Sequence, residues 1–288
     1  MNSMGKRAWM IILLCLGFML YALPGRIQGE ERILLVPEDF STIQEAIDTA
    51  QDGDRIVVAQ GIYREQISFS GKNIVLTSTE PSDPEVVANT VLEGEGNGTV
   101  VRIERGESSK AVLTGFTIQG GRSRRGGGVL VAGYARPVIE NNVISGNLAQ
   151  ERGGGIFIHR SSPVVRHNLV IENTSELGGG GIDVCSGSSP LIEENTVIRN
   201  RANLWGGGMY VVNSQPMILN NSLEENHAGE GGGLFVNSMS IVFDEEKQEW
   251  PRQNRPPLEG RDPGGNIYRE NTQGDPPAKG EGSQVWFD

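Results

Sequence analysis

Side chains suited to acid–base chemistry and to sugar stacking lie together in a repeated pattern of this 288-residue chain. Asp183 has the chemistry of a general acid or base, and His159 and Arg160 could move a proton and stabilise charge beside it. Aromatic residues at the position equivalent to Asp183 in other repeats would form a row of rings, which suits stacking on sugars. The candidate ligand-binding residues are Phe157, Asp183, Tyr210, Phe235 and Arg160, and the candidate catalytic residues are Asp183, His159 and Arg160.

The pattern that positions these side chains is an internal repeat. The last glycines of five glycine runs, at 128, 155, 181, 208 and 233, are separated by 27, 26, 27 and 25 residues. Two asparagine columns keep the same period: Asn142, Asn168, Asn195, Asn221 and Asn147, Asn173, Asn200, Asn226. A fixed period of this length indicates a solenoid of stacked repeats.

Each repeat consists of short β-branched runs bounded by Gly, Pro, Ser and Asn, with no stretch long enough for an amphipathic helix. After each glycine run aliphatic residues alternate with a mixed column, which predicts that the aliphatic columns face inward and the mixed column faces solvent. Equivalent strands of successive coils would pair in parallel about 4.8 Å apart. The sequence therefore predicts an all-β fold, a right-handed parallel β-helix solenoid with a short N-terminal capping α-helix. The mixed column is Leu130, Phe157, Asp183, Tyr210 and Phe235, with His159 and Arg160 at its edge and Arg136 nearby.

The repeated polar residues have a structural interpretation. Asparagines stacked at a coil corner can bond free backbone groups and the amides above and below them. Glycines permit a positive φ at another corner. Neither the asparagine columns nor the glycine runs are candidate functional sites.

The chain divides into a leader and one domain. Two basic residues followed by an apolar run of 16 residues, 8–23, resemble a secretory signal, and an uncleaved anchor stays open. A solenoid grows by adding coils around one core, so the remainder is a single domain. The predicted boundaries are 1–29 for the signal or anchor, 30–288 for the β-helix, 41–50 for the capping helix, 126–238 for the clear coils, 244–264 for an inserted loop and 265–288 for the last coil.

Charge and cysteine content limit the partners. A formal net charge of −11 weighs strongly against nucleic acid as a partner and disfavours polyanionic sugars unless a cation bridges the two. Contact with a membrane is expected only through an uncleaved N-terminal segment. Only Cys185 remains in an exported chain, so no internal disulfide can form, and no histidine is expected beside it.

Residues 36–78 carry the sharpest resemblance to known families. They include TIQEAI at 42–47 and the pattern Gly61, Tyr63, Glu65, and they resemble the opening of the pectin lyase-like right-handed β-helix superfamily, in particular pectin methylesterases and NosD-type periplasmic proteins. The glycine-run repeats that follow resemble the repeat region of the same superfamily. The resemblance implies a β-helix whose open end is closed by a helix with Ser41 or Thr42 as its N-cap.

The resemblance does not extend to the catalytic strings of the enzymes in this superfamily. Those of pectin methylesterases, polygalacturonases and mannuronan epimerases are absent. One acid in the mixed column cannot form a calcium cage, which needs six to eight oxygen ligands. No cofactor is therefore expected; calcium stays open as an alternative, although no ligand cluster supports it. Copper, suggested by the NosD likeness, is not supported because His159, His167 and His227 lie in different columns.

Two functions stay open from the sequence. The first is an exported β-helix protein that binds polysaccharide or another cell-envelope glycan, or serves as a surface scaffold. The second is a carbohydrate-active enzyme, such as a lyase, epimerase or esterase, that uses Asp183, His159 and Arg160. The absence of known catalytic strings favours the first.

Overall fold

A computed structural model describes residues 31–237, 240, 260–261 and 265–274 of the chain. Over these residues the backbone winds as a parallel β-solenoid of about eight turns with very little helix, which confirms the predicted fold class. Each clear coil contributes one strand to each of four sheets. The predicted leader at 1–29, and the predicted insertion at 244–264 except for residues 260–261, lie outside the described residues.

Sheets 1 and 2 form two adjacent walls of each coil. Sheet 1 is entirely parallel and consists of Ile33–Val36, Arg55–Val58, Val75–Ser78, Val112–Thr114, Val138–Glu140, Val164–Arg166, Leu191–Glu193 and Met217–Leu219. Sheet 2 consists of Gly61–Tyr63, Thr90–Glu93, Thr117–Gln119, Val143–Ser145, Leu169–Ile171, Thr196–Ile198, Ser222–Glu224, Ile267–Arg269 and Gly260–Arg261. Its last strand, Gly260–Arg261, pairs antiparallel, and all others pair in parallel.

Sheets 3 and 4 complete the coil on either side of the glycine runs. Sheet 3 consists of Arg122–Arg125, Leu148–Arg152, Thr174–Ser175, Arg201–Ala202, His227–Ala228 and Thr272–Gln273. Sheet 4 consists of Ile67–Ser68, Val101–Ile103, Val129–Val131, Ile156–His159, Ile182–Cys185, Met209–Val212 and Leu234–Val236. The chain thus passes from sheet 1 to sheet 2, then sheet 3, the glycine run and sheet 4 before it re-enters sheet 1 one coil further on.

The register between coils follows the sequence repeat. In sheet 4, Ile156 pairs with Ile182, and Ile182 pairs with Met209, so equivalent residues stack directly. The predicted inward columns are buried, since Ile156 and Ile182 have no exposed surface and Met209 has 1%. Burial of aliphatic side chains on alternate positions of sheets 1, 2 and 4 provides the main stabilisation of the solenoid.

The two asparagine columns are ladders, as predicted. The amide of Asn168 donates from Nδ2 to the Asn195 Oδ1 at 3.0 Å and to the carbonyl of Ile139 at 2.9 Å. Asn195 repeats the arrangement with Asn221. Beyond residue 237 the ladders continue through Asn266 and Asn271, which lie in the strand–corner–strand segment predicted for the last coil.

A third ladder, which the sequence analysis missed, is made of serines. The backbone N–H of Ser161 donates to Ser188 Oγ at 3.2 Å, and that of Ser188 donates to Ser214 Oγ at 3.3 Å. The N–H of Ser214 continues to Ser240 Oγ at 3.4 Å. The ladder ends at Ser161, because Ala135 stands one coil before it and donates its N–H to the carbonyl of Ala132.

The glycine runs have two structural roles rather than the one predicted. The third glycine from the end of a run has the expected positive φ, for example 69° at Gly153 and 61° at Gly179. The last glycine is required by close stacking, because a Cβ built on Gly181 would lie 2.6 Å from the carbonyl oxygen of Gly208. The predicted explanation from φ alone is therefore incomplete.

Two short helices occur in the described part of the chain, α1 at Ile43–Thr49 and α2 at Pro84–Asn89. Helix α1 is the predicted cap: Thr42 is its N-cap and forms a capping box with Glu45. Its apolar face, including Ile43 and Ile47, is fully buried against the first coils. Helix α2 was not predicted.

Candidate functional site

The mixed column of sheet 4 is buried, so the expectation that it lines a flat, exposed face is wrong. Phe157 is 3% exposed, Asp183 has no exposed surface and Tyr210 is 6% exposed. Leu130 and Phe235, at the two ends, are partly buried and pack against the same residues. The column is the centre of a second, smaller apolar cluster outside the main core.

Residues at the end of sheet 3 cover this column. The guanidinium of Arg125 lies 5.9 Å from the ring centroid of Phe157, and that of Arg152 lies 5.6 Å from the ring centroid of Tyr210. Trp205 stacks on Tyr210 with ring centroids 5.8 Å apart. The chain therefore lies over the outer face of sheet 4 before it turns back through the glycine run. The rings are consequently not available to stack on a polymer.

Asp183 is the most unusual charge in this cluster. Arg152 Nη1 lies 3.8 Å from Asp183 Oδ1, and among the described residues neither carboxylate oxygen has a hydrogen-bond partner. Burial raises the pKa of the Asp183 carboxyl to about 7, and the charge of Arg152 only partly opposes this effect. A shift of this kind often marks a functional group. However, Asp183 has no surface from which it could reach a substrate.

His159 lies beside Cys185, contrary to the expectation that no histidine adjoins this thiol. The two residues are paired across adjacent strands, with His159 Nδ1 3.5 Å from Cys185 Sγ, and the His159 ring stacks on Phe157. Burial raises the pKa of the Cys185 thiol to about 12, so the thiolate needed for nucleophilic attack is not populated at neutral pH. Burial and then Arg160 lower the pKa of the His159 ring, which is therefore neutral at pH 7.

Arg160 lies apart from the buried cluster, in a surface pocket of about 210 Å³ at the corner between sheets 4 and 1. We call this the corner pocket. Its lining comes from three successive coils and consists of Tyr134, Arg136, Arg160, Ser161, Ser162, Ser186 and Gly187.

The turns of three coils position these side chains. The backbone N–H of Tyr134 donates to the carbonyl of Arg160 at 2.9 Å, which ties neighbouring turns together. Tyr134, Arg160 and Ser186 all have positive φ, at 64°, 48° and 61°, so each turn reverses sharply at that point. Tyr134 is 72% exposed and is thus the aromatic residue of the pocket that is open to solvent.

The corner pocket offers groups that can bind a polar ligand. Its lining provides guanidinium and hydroxyl donors, a phenol ring and backbone groups, and none of the described residues that line it is a carboxylate or an imidazole. Of the residues predicted to form one site, the structure groups Phe157, Asp183 and Tyr210 in the buried cluster and leaves Arg160 in the pocket.

Sequence reasoning missed most of the pocket. Tyr134 has no equivalent in the other repeats, so no column indicated it. The serines at 161, 188, 214 and 240 do keep the repeat period, and that spacing is the signal that could have identified this corner.

The described residues contain neither a cluster of metal-ligating side chains nor a membrane-spanning helix. No group of three or more His, Cys, Asp or Glu side chains that could hold a metal ion occurs there. Within the same residues no helix is long and apolar enough to cross a membrane.

Coils of 25 to 27 residues, parallel pairing in every clear coil and internal asparagine ladders define the class as a parallel β-helix. The family model described as "Right handed beta helix region" matches residues 74–246, which is more than half of the 288 residues. The chain belongs to this family, and the predicted right-handed β-helix is confirmed.

Comparison with individual proteins adds a likeness of fold. No curated protein sequence matches the chain. Among solved structures, it is similar to a pectin methylesterase from Aspergillus niger, with 11% identity and a TM-score of 0.36 over 74% of this chain and 84% of that chain. It is also similar to a pectin methylesterase mutant in complex with a hexasaccharide, with 11% identity and a TM-score of 0.31 over 79% and 87% of the two chains. Neither likeness bears on the activity of this chain.

Proposed function

We propose that this chain is an exported β-helix protein that binds polysaccharide at the corner pocket. One observation carries the proposal: an exposed tyrosine, Tyr134, stands at a pocket lined by hydroxyl and guanidinium donors. Sugars are bound by a ring face that stacks on their C–H surface and by polar groups that bond their hydroxyls. Export is inferred from the basic and apolar residues of the leader.

The accessibility of the candidate residues favours binding over catalysis. An acid–base pair must lie within hydrogen-bond reach of the substrate. Asp183 is fully buried, and His159 contacts Cys185 and Phe157 rather than an open cavity. The enzyme alternative therefore lacks an accessible carboxylate at the predicted position.

The proposal is tested by measuring binding to a panel of neutral and acidic polysaccharides with affinity electrophoresis and calorimetry. We expect Tyr134→Ala to weaken binding about three- to tenfold, which corresponds to the 0.5–1.5 kcal/mol of a ring contact. Tyr134→Phe keeps the ring and should bind nearly as the wild type does. Both variants keep a Cβ at the positive φ of residue 134, so they do not differ in backbone strain.

The same incubations distinguish a binder from an enzyme. Products are followed as new reducing ends, unsaturated sugars and released esters. Turnover that Asp183→Asn abolishes would contradict the proposal and favour the enzyme alternative. Binding that is unchanged in Tyr134→Ala would remove the corner pocket as the binding site.

A further inference from the structure

The corner pocket is positively charged in an acidic protein. Arg136 and Arg160 both line it, and no carboxylate does, although the whole chain has a formal net charge of −11. In the part of the chain that the structure describes, no ion pair joins either arginine to an acidic residue, in contrast to eight other arginines: Arg64, Arg102, Arg124, Arg125, Arg152, Arg166, Arg199 and Arg269.

One residue of the lining, Ser161, carries a buried polar atom without a partner among the described residues. Ser161 is 3% exposed, and its Oγ has no hydrogen-bond partner among the described residues because the serine ladder ends there. A buried hydroxyl without a partner costs free energy unless a ligand or a water supplies one. Ser162 and Ser186, which are half-buried, bring two more hydroxyls to the lining.

We propose that the corner pocket takes one anionic group of an acidic sugar, a carboxylate or a sulfate, between the guanidinium groups of Arg136 and Arg160. The inference rests on the proposed polysaccharide binding and names the class of sugar. A carboxylate has two oxygens, and a sulfate has two neighbouring terminal oxygens, that can accept two parallel N–H bonds from one guanidinium. In this arrangement Tyr134, at the same pocket, would contact the sugar ring.

Binding of an anionic group at the corner pocket depends on the local charge of the pocket more than on the net charge of the chain. Salt screens the field of distant acidic residues beyond about 8 Å at physiological ionic strength, whereas a ligand in the pocket is in direct contact with the two arginines. The expectation from composition, that acidic sugars are disfavoured, therefore applies to a long polyanion lying along the whole surface. It does not apply to one anionic residue of a short oligosaccharide bound at this corner.

The test uses three oligosaccharides of equal length, one neutral, one carboxylated and one sulfated, with inorganic sulfate as a fourth ligand. We expect either acidic form to bind at least about tenfold more tightly than the neutral form at 0.15 M salt, since charge-assisted hydrogen bonds are about twice as strong as neutral ones. The variants are Arg136→Gln, Arg160→Gln and the double variant. Arg201→Gln is the matched control, because Arg201 is exposed on sheet 3, outside the pocket, and its loss changes the net charge equally.

Each pocket variant should lose most of the preference for the acidic form, and the double variant should lose all of it, while Arg201→Gln retains it. Thermal melting of each variant shows whether the fold is intact, and Arg160→Lys, which keeps the charge at the same backbone position, should retain part of the preference. The carboxylated and sulfated ligands show which anion the pocket prefers.

The outcomes separate this inference from the proposed function. Equal binding of neutral and acidic sugars that still depends on Tyr134 would overturn the inference and leave polysaccharide binding intact. Binding of inorganic sulfate that requires both arginines, without binding of any oligosaccharide, would support an anion site and overturn the sugar ligand. If Arg201→Gln removes the preference for acidic forms as strongly as Arg136→Gln does, the preference depends on net charge, and this result would overturn the inference.

Discussion

Asp183 shows how the neighbours of one residue set its chemistry. Taken alone, an acid in an outward-facing position indicates a general acid or a metal ligand. In the folded chain its neighbours are Arg152, Arg125, Cys185 and Tyr210, and burial dominates its titration. The result is a carboxylate that is costly to ionise and that no substrate reaches.

The pH dependence of stability should reveal this cost. The folded-state pKa of about 7 exceeds the ordinary value of 3.8, so between these values the folded state binds more protons than the unfolded state. The free energy of unfolding therefore falls as pH rises from about 4 to about 7 and stays lower at higher pH. The expected decrease is up to about 4 kcal/mol, because each pKa unit between the folded and unfolded states corresponds to about 1.4 kcal/mol. Asp183→Asn cannot ionise, and we expect it to reduce the difference in unfolding free energy between pH 4.5 and pH 8.

Urea-induced unfolding at the two pH values measures this effect. Asp183 attracts Arg152 as a counter-ion only when it is ionised, so this attraction is lost in the variant at pH 8 but not at pH 4.5. The pKa of about 7 already includes the attraction, and the comparison therefore measures the net cost of ionising Asp183. Glu38→Gln changes an exposed carboxylate and serves as the control. A wild-type protein as stable at pH 8 as at pH 4.5, with Asp183→Asn parallel to it, would contradict the prediction.

At the scale of the element, the ladders hold the corners of each coil. Asn195 Oδ1 accepts from both the N–H and the Nδ2 of Asn168, at 3.0 Å each. Its own Nδ2 donates to the carbonyl of Val165 at 2.9 Å and to Asn221 Oδ1 at 2.9 Å. All these atoms are buried, so no water can replace a lost partner without rearrangement.

Asn195→Ala should be strongly destabilising for this reason. We expect a loss of about 3 kcal/mol in unfolding free energy, since several buried groups lose their partner. Asn203→Ala, at an exposed position outside the ladders, should change stability by less than about 0.5 kcal/mol. Chemical denaturation monitored by circular dichroism gives both values. Equal effects of the two variants would show that the ladder contributes no more than a surface asparagine.

At the scale of the whole molecule, each coil pairs with its immediate neighbours. Stability of such a solenoid is a sum of terms from each coil and from its interfaces with adjacent coils. The capping helix α1 closes one end over Ile43 and Ile47. Toward the other end of the described part, sheet 2 is terminated by the antiparallel strand Gly260–Arg261.

Hydrogen exchange should show this nearest-neighbour organisation. Asn271→Ala removes the acceptor of the Asn226 backbone N–H, which donates to Asn271 Oδ1 at 3.0 Å. We expect faster exchange in the coil that contains Asn226 and unchanged exchange at Asn142, which lies three coils away from that coil. Mass spectrometry of peptides from both coils measures this under native conditions. A uniform loss of protection along the chain would instead indicate all-or-none opening.

The sequence by itself determined the solenoid, its inward columns and the asparagine ladders. Each coil repeats the same contacts with the next, so equivalent residues must recur at a fixed spacing, and that spacing is visible without a structure. Ile182 and Asn195 lie where the spacing predicts, buried and stacked on their equivalents.

Only the tertiary structure decided what covers the outer faces. Alternation along a strand separates the two faces of a sheet, but it does not show whether another part of the chain lies over the outer one. Arg125 and Arg152 at the end of sheet 3, and Trp205 in the segment that follows this sheet, cover the outer column of sheet 4 and so bury Asp183 and Tyr210. The corner pocket likewise forms where turns of three coils meet, and side chains that converge from different coils follow no period in the sequence.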